Sequence, residues 1–239
     1  MLEVKNLAVR YRGRFALEDV SFQLPSQQLV GIIGPNGAGK STMIKAMLGL
    51  IPIVSGQVKF NSLDLRHTLS KVAYVPQRAN IDWDYPTTVW NVVMMARTVK
   101  TGLFRRPSRM SCEMVKTALE RVGILELRDR QIGELSGGQQ QRVFIARALA
   151  KQADLFMFDE PFTGVDRKTE DIIFEVFQEL KAEGKTLLVI NHDLGETLNY
   201  YDKLLLLNKT IIALGECQSV LTPNNIQQAY GISMHLMFK

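Results

Sequence analysis

The chain has 239 residues, a formal net charge of +5, 46% hydrophobic residues and 22% charged residues. This length suffices for one large α/β domain, with or without an inserted subdomain, and the composition is typical of a globular chain. No apolar run approaches the roughly 20 residues of a membrane-spanning helix, and no dense basic tract indicates nucleic acid. The N-terminus lacks the layout of a secretory signal, and we expect Cys112 and Cys217 to be free thiols in a reducing compartment.

The first elements in chain order are predicted strands. Residues 2–24 alternate between apolar and polar, most clearly at Val20, Phe22 and Leu24, which predicts antiparallel strands covered on one face. Tyr11 lies between these strands among arginines. Its ring could stack on an adenine or be an ordinary half-buried tyrosine, and its position alone favours neither.

A phosphate-binding loop follows the next predicted strand. Residues 34–41 match G-x-x-x-x-G-K-[ST] at every fixed position, after the apolar run 29–33 and before a helical pattern. Such a loop aims backbone N–H groups and a helix N-terminus at an anion. Lys40 could then reach the β- and γ-phosphates, and the hydroxyl of Ser41 could bind Mg²⁺. An ordinary strand-to-helix turn is the alternative.

Helical periodicity dominates the middle of the chain. A buried strand is predicted at residues 72–75, and Gln77 after it is a weak signal, since such a glutamine is usually a surface residue. From Ile81 to about Ala150 we predict a mainly helical insertion, which includes a positively charged loop at residues 102–107. One of its helices should end at Gly123.

A second anion-binding pattern occupies residues 135–139. Ser136 and two glycines stand directly before a predicted helix, where a side-chain cap and N–H groups can meet an anion. A chain with one phosphate loop has no evident use for two such sites on one nucleotide. The second site is therefore predicted to serve a nucleotide held by another copy of the chain.

Polar residues also follow the later predicted strands. The apolar run 155–158 ends in Asp159 and Glu160, which could hold Mg²⁺ through water and orient an attacking water molecule, or simply cap the strand. The next predicted strand, 186–190, is followed by His192. Ligands of parallel sheets bind at the carboxyl ends of the strands, so His192 is placed where a ligand would bind. His67 and His235 have no such setting, and we expect them to be surface or packing residues.

These motifs together resemble the nucleotide-binding subunits of ABC transporters, from about Leu2 to Gly215. The resemblance implies an α/β fold, a P-loop NTPase (RecA-like) core with an N-terminal antiparallel β subdomain and an inserted helical subdomain. Residues 1–80 and 151–215 would form the core with the β subdomain. Residues 81–150 would form the helical subdomain with the signature motif, and 216–239 a C-terminal tail, all within one domain.

The resemblance also implies ATP hydrolysis with ATP and Mg²⁺ in a head-to-tail dimer. Tyr11 would stack on adenine, Glu160 would polarise water, His192 would steady the γ-phosphate, and Gln77 would sense the membrane partner. The implied residues are, for catalysis, Glu160, His192 and Gln77; for the metal, Ser41, Gln77 and Asp159; for the nucleotide, Tyr11, Gly34, Pro35, Asn36, Gly37, Ala38, Gly39, Lys40, Ser41, Thr42, Ser136, Gly137, Gly138, Gln139 and Asp166.

A narrower likeness concerns the transported substrate. Residues 82–86, 102–107 and 221–231 are similar to those in ATPase subunits of manganese, zinc or iron importers. This implies two transmembrane permease subunits, an extracytoplasmic metal-binding protein, no nucleic acid, and a peripheral place on the cytoplasmic face of the cell membrane. An exporter or lipid-handling complex, or a non-transport ABC ATPase, remains the alternative.

Overall fold

A computed structural model describes residues 1–78, 81, 83, 85–102, 105–192 and 195–231. The strands are β1 (Leu2–Tyr11), β2 (Arg14–Leu24), β3 (Leu29–Ile33), β4 (Ser55–Phe60), β5 (Leu63–Asp64), β6 (Val72–Val75), β7 (Leu155–Asp159), β8 (Thr186–Ile190), β9 (Lys203–Asn208) and β10 (Thr210–Gly215). The helices are α1 (Lys40–Met47), α2 (Val89–Met94), α3 (Thr98–Thr101), α4 (Arg109–Arg121), α5 (Gly137–Ala150), α6 (Arg167–Ala182), α7 (Cys217–Val220) and α8 (Pro223–Tyr230).

The strands form two sheets. An antiparallel sheet has the order β2-β1-β4-β5, and a six-stranded sheet has the order β10-β9-β3-β8-β7-β6. In the second sheet β6, β7, β8, β3 and β9 pair in parallel, and β10 adds an antiparallel edge. Because the carboxyl ends of parallel strands share one edge, the residues after β3, β6, β7 and β8 meet there.

The parallel strands are buried on both faces, which explains their continuous apolar runs. Every residue of β3, β7 and β8 is buried. On β8, Leu187 and Val189 face the cluster formed with α5 and α6, whereas Leu188 and Ile190 face the cluster formed with α1 and the antiparallel sheet. The six-stranded sheet is therefore the middle layer of the fold.

The sequence predictions of fold class and of most elements are confirmed. The N-terminal strands are antiparallel, and α4 ends before Gly123, whose φ of 63° lies in the left-handed region. Not predicted were the β9–β10 hairpin and the two helices within residues 216–231. Cys112 and Cys217 are free thiols.

Some predictions fall outside the described residues. These are Asp82 and Asp84 of the 82–86 segment, residues 103–104 of the charged loop, and residues 232–239 with His235. Across the described ranges, no helix combines the length and apolar character that crossing a membrane requires.

Candidate nucleotide-binding site

The phosphate loop depends on two glycines that no other residue could replace without movement. At Gly34, with φ 149°, a Cβ atom would stand 2.0 Å from the carbonyl oxygen of Leu207. At Gly39, with φ 96°, a Cβ atom would stand 2.6 Å from the carbonyl oxygen of Ala16. The loop therefore packs directly on β9 and β2, and α1 begins immediately after it.

Lys40 provides a buried positive charge under this loop. Its side-chain ammonium donates hydrogen bonds to the carbonyl oxygens of Gly34 at 2.7 Å and Pro35 at 3.0 Å. Burial lowers the pKa of the ammonium, while the nearby carboxylates of Glu160 and Asp159 raise it. Within the described residues no carboxylate lies within ion-pair distance of Lys40, so the site fits an anionic ligand such as a phosphate.

Ser41 and Asp159 meet on the other side of the loop. The Ser41 hydroxyl donates to Asp159 Oδ1 at 2.7 Å, and the Tyr74 hydroxyl donates to Oδ2 at 3.4 Å. Burial raises the pKa of the Asp159 carboxyl, and the hydrogen bond from Ser41 lowers it. A hydroxyl and a carboxylate are oxygen donors that Mg²⁺ accepts, although these residues alone cannot complete its coordination. The donor set therefore fits Mg²⁺ that also has phosphate and water ligands.

The three residues predicted to be catalytic come together around one carboxylate. Gln77 Nε2 donates to Glu160 Oε2 at 2.6 Å, and His192 Nε2 contacts Glu160 Oε1. Thr163 Oγ1 adds a longer contact to Oε2 at 3.4 Å. Gln77 follows β6, Glu160 follows β7 and His192 follows β8, so the parallel sheet itself assembles this group.

These side chains open onto one cleft. A cavity of about 800 Å³ is lined by Gly34, Pro35, Asn36, Gln77, Glu160, Thr163, His192 and Tyr230. A smaller one of about 170 Å³ follows the loop itself and is lined by residues 36–42 with Glu160 and His192. The predicted phosphate-loop and catalytic residues thus share one site.

The second predicted anion site lies elsewhere on the surface. Ser136 caps α5 in a reciprocal capping box with Gln139, and Asp166 caps α6 by accepting from Thr169 N at 3.1 Å. The two helix starts touch, since a Cβ on Gly138 would stand 2.8 Å from Thr169 Oγ1. Among the described residues lining the two cavities, none comes from 135–139 or from Asp166.

Tyr11 does not line these cavities either. It ends β1 with 47% of its surface exposed, and its strand partner is Arg14. Its hairpin leads into Ala16, the residue that packs on Gly39, so Tyr11 lies five residues before a direct contact with the loop. An exposed aromatic there is compatible with stacking on a base.

Sequence reasoning missed Arg78, Thr163 and Tyr230. The Arg78 guanidinium donates to Gln140 Oε1 at 2.7 Å and lies over the Trp83 ring at 5.5 Å. It is also 3.0 Å from the position that a Cβ of Gly137 would occupy. No local pattern marks Arg78 or Tyr230, because each acts through contacts between distant segments, whereas Thr163 contacts Glu160 three residues before it.

A phosphate loop after the central parallel strand β3, with Asp159 and Glu160 at the end of β7 on the far side of β8, defines a nucleotide-hydrolysing P-loop protein. Residues 17–163 match the family model described as ABC transporter, and the chain belongs to this family. ABC transporter ATP-binding domains bind and hydrolyse ATP, and the chain is such an ATPase subunit of a membrane transporter.

Several proteins are similar to this chain over almost its full length. The manganese transport system ATP-binding protein MntB of Bacillus subtilis is 48% identical over 96% of this chain and 92% of its own. The zinc transport system ATP-binding protein TroB of Treponema pallidum is 47% identical, covering 96% and 86%. The chelated iron transport system membrane protein YfeB of Yersinia pestis is 44% identical, covering 96% and 79%.

Solved structures are similar as well. The ADP conformation of an ATP-binding cassette of an ABC transporter superposes with a TM-score of 0.80 at 30% identity, covering 96% of this chain and 98% of that chain. A nucleotide-free ATP-binding cassette from an ABC transporter gives a TM-score of 0.79 at 28% identity, covering 97% and 95%.

Proposed function

We propose that this subunit drives the import of a divalent transition metal, manganese, zinc or iron, through a membrane transporter. The observation that supports this proposal is the identity of 44–48% over nearly the whole chain to ATP-binding proteins named for manganese, zinc and chelated-iron transport systems. Across the described residues no group of three or more histidines, cysteines and carboxylates could hold a metal ion. The transported ion would therefore be handled by other subunits of the complex.

In this proposal ATP occupies the phosphate-loop cleft with its phosphates over Gly34–Ser41 and Thr42. The helix N-terminus and the ammonium of Lys40 oppose the phosphate charge. Ser41, Asp159 and Gln77 hold Mg²⁺, which when bound neutralises charge on the phosphates. Tyr11 stacks on the adenine, and its exposed position at the end of β1 supports this role.

Glu160 is the proposed general base for the attacking water. Gln77 and His192 bind the two oxygens of its carboxylate, so the group can turn little. A fixed carboxylate at the cleft can accept a proton from a water molecule poised against the γ-phosphate. His192 would then steady the γ-phosphate, since its ring lines the same cavity.

The second half of each ATP site is proposed to come from another copy of the chain. Ser136, Gly137, Gly138 and Gln139 would contact the γ-phosphate held by the facing copy, with Asp166 at the seam. The separation of these residues from their own cleft supports this arrangement. Residues 81–150 would move on closure relative to 1–80 and 151–215.

The membrane partners are proposed to dock on an apolar groove beside the Gln77 strand. This groove, of about 420 Å³, is lined by residues from β6, α3 and α5, including Tyr74, and by Leu48 and Leu50 in the segment after α1. Leu50, Met95 and Val99 at its margin are exposed, Val99 by 91%. Exposed apolar surface of this kind suits contact with two permease subunits, which would hold the chain at the cytoplasmic face of the membrane. An extracytoplasmic metal-binding protein would complete the importer.

Metal uptake by cells lacking the gene tests this proposal. Cells complemented with the wild-type chain should regain uptake of manganese, zinc or iron, and cells with Glu160→Gln should not. The purified Glu160→Gln variant should still bind ATP while turnover falls by about 10²-fold or more, because binding does not need the base. Uptake that is equal for the wild type and the variant, or restored for none of the three metals, would contradict it.

A further inference from the structure

The C-terminal part of the described chain supports the phosphate loop at two points, Gly34 and Ala38. Lys209, in the turn of the β9–β10 hairpin, donates its N–H to the carbonyl oxygen of Ala38 at 2.8 Å. Leu207 of β9 lies so close to Gly34 that no Cβ would fit between them. The hairpin is thus the surface on which the loop rests.

The helix α8 packs on the same hairpin and brings Tyr230 to the loop. Thr222 caps α8 through Asn225 N at 3.3 Å, Ile226 and Ala229 are buried, and Asn208 Nδ2 donates to the carbonyl oxygen of Ala229 at 2.9 Å. Asn208 ends β9, directly after the strand residue that packs on Gly34. Tyr230 is therefore carried by a well-anchored helix.

The Tyr230 side chain reaches the nucleotide cleft. It lines the 800 Å³ cavity together with Gly34, Gln77, Glu160 and His192. Burial raises the pKa of Tyr230 to about 12, further above physiological pH, where a tyrosine hydroxyl is already uncharged. The backbone of Gly34 lowers the pKa of the same hydroxyl, which opposes the larger effect of burial. An uncharged hydroxyl can accept from a backbone N–H without repelling phosphate.

We propose that Tyr230 is a positioning residue of the nucleotide cleft, whose hydroxyl fixes the Gly34 end of the phosphate loop and thereby sets the affinity for ATP. The inference rests on the proposed binding of ATP to this cleft. It gives the C-terminal segment a defined part in nucleotide binding. A ring that served only as packing would not need its hydroxyl.

The test compares Tyr230→Phe with Tyr200→Phe. Tyr230→Phe keeps the ring and removes the hydroxyl, whereas Tyr200, 48% exposed and packed on Phe174, lies outside the cleft. We expect Tyr230→Phe to raise the ATP dissociation constant and KM by about fivefold, the usual weight of one neutral hydrogen bond, with kcat within about twofold of the wild type. Tyr200→Phe should match the wild type, and both variants should melt near the wild-type temperature.

A second variant, Thr222→Ala, tests the role of Tyr230 without changing the tyrosine itself. Thr222→Ala removes the cap of α8 without touching the cleft, and it should raise KM in the same direction by loosening Tyr230. Equal or lower KM and Kd values for Tyr230→Phe would overturn the inference. A wild-type chain that does not bind ATP would instead remove the proposed function of the cleft.

Discussion

Glu160 shows at the residue scale how the site is held. Its φ of 54° lies in the left-handed region, which side chains rarely adopt and which costs on the order of 1 kcal/mol. Hydrogen bonds from Gln77 and His192, one to each oxygen of the Glu160 carboxylate, offset that cost. The backbone strain and the side-chain contacts together give the carboxylate a single orientation at the end of β7.

Gly34 allows a direct test of the loop geometry. Gly34→Ala would place a Cβ 2.0 Å from Leu207 O, so the loop must shift. We expect ATP affinity to fall by about tenfold or more, measured by titration with a fluorescent nucleotide.

Gly123→Ala is the matched control. Gly123 has the same left-handed requirement, with φ 63°, but its nearest neighbour is an ordinary contact at 3.7 Å. This variant should lose about 1 kcal/mol of folding free energy and keep wild-type ATP affinity. Equal ATP affinities for both variants would show that the Gly34 contact is unimportant.

Tyr230 also predicts a pH dependence of stability. Its pKa is raised from 10.0 to about 12 in the folded chain. Such a group stabilises the fold below pH 10.0, and this contribution is lost as the pH rises from 10.0 towards about 12. Tyr230→Phe lacks the group and should therefore lose less stability than the wild type on going from about pH 8 to about pH 11.

Urea unfolding at the two pH values measures this difference. Burial also raises the pKa of Tyr74 and Tyr201, but both proteins share those residues, so their contribution cancels in the comparison. Parallel losses in the wild type and Tyr230→Phe would mean that the hydroxyl is not shielded in solution.

At the scale of elements, α5 begins with a residue that has two separable tasks. Ser136 caps the helix, and it is also proposed to face the other copy's γ-phosphate. Asp is as good a cap as Ser but carries a negative charge. Ser136→Asp should therefore leave the melting temperature unchanged while ATPase activity falls by at least about tenfold through charge repulsion.

Ser108 provides the control for this prediction. It caps α4 by accepting from Ser111 N at 3.1 Å and is exposed on the surface. Ser108→Asp should keep both the melting temperature and the ATPase rate. If Ser136→Asp hydrolyses ATP at the wild-type rate, Ser136 does not meet the γ-phosphate.

The elements also show which parts of the fold were predictable from sequence. The buried parallel strands have continuous apolar runs in the sequence, and a glycine follows the end of α4. Local sequence patterns were therefore enough to predict these elements. The β9–β10 hairpin and α8 were not predicted, because their places depend on packing against the loop more than 170 residues earlier.

The same contrast holds for the site. The motifs at residues 34–41 and 159–160 could be recognised from sequence, because their residues are adjacent in the chain and their spacing is fixed by the local backbone. Gln77 was a weak signal until the sheet placed it 2.6 Å from Glu160. Arg78 and Tyr230 carry no local pattern, and only their contacts with Gln140 and Gly34 identify them.

At the scale of the whole molecule, the proposed sharing of each site between two copies predicts complementation. Lys40→Ala removes the ammonium from the cleft of its own copy. Ser136→Asp places a negative charge in the segment that is proposed to face the cleft of the other copy. Each variant alone should be inactive. A mixed pair retains one complete site, so random pairing should restore up to about a quarter of the wild-type rate.

ATPase rates across a series of mixing ratios measure this effect, with an optimum expected at equal amounts. Each variant mixed with more of itself is the control and should stay inactive. Absence of recovery at every ratio, after mixed pairs have been detected by pull-down, would contradict the facing arrangement.

Arg78 would couple the two sites of the proposed facing pair. It follows Gln77 in the chain, so Gln77 donates to Glu160, the proposed general base, while its neighbour Arg78 donates to Gln140 in the first turn of α5. In a facing pair, each subunit's cleft would connect to its own α5, and that helix to the opposite cleft. The contacts would run from one cleft through its α5 to the opposite cleft, and from there through the second α5 back to the first. Binding of ATP at either site would then favour binding at the other.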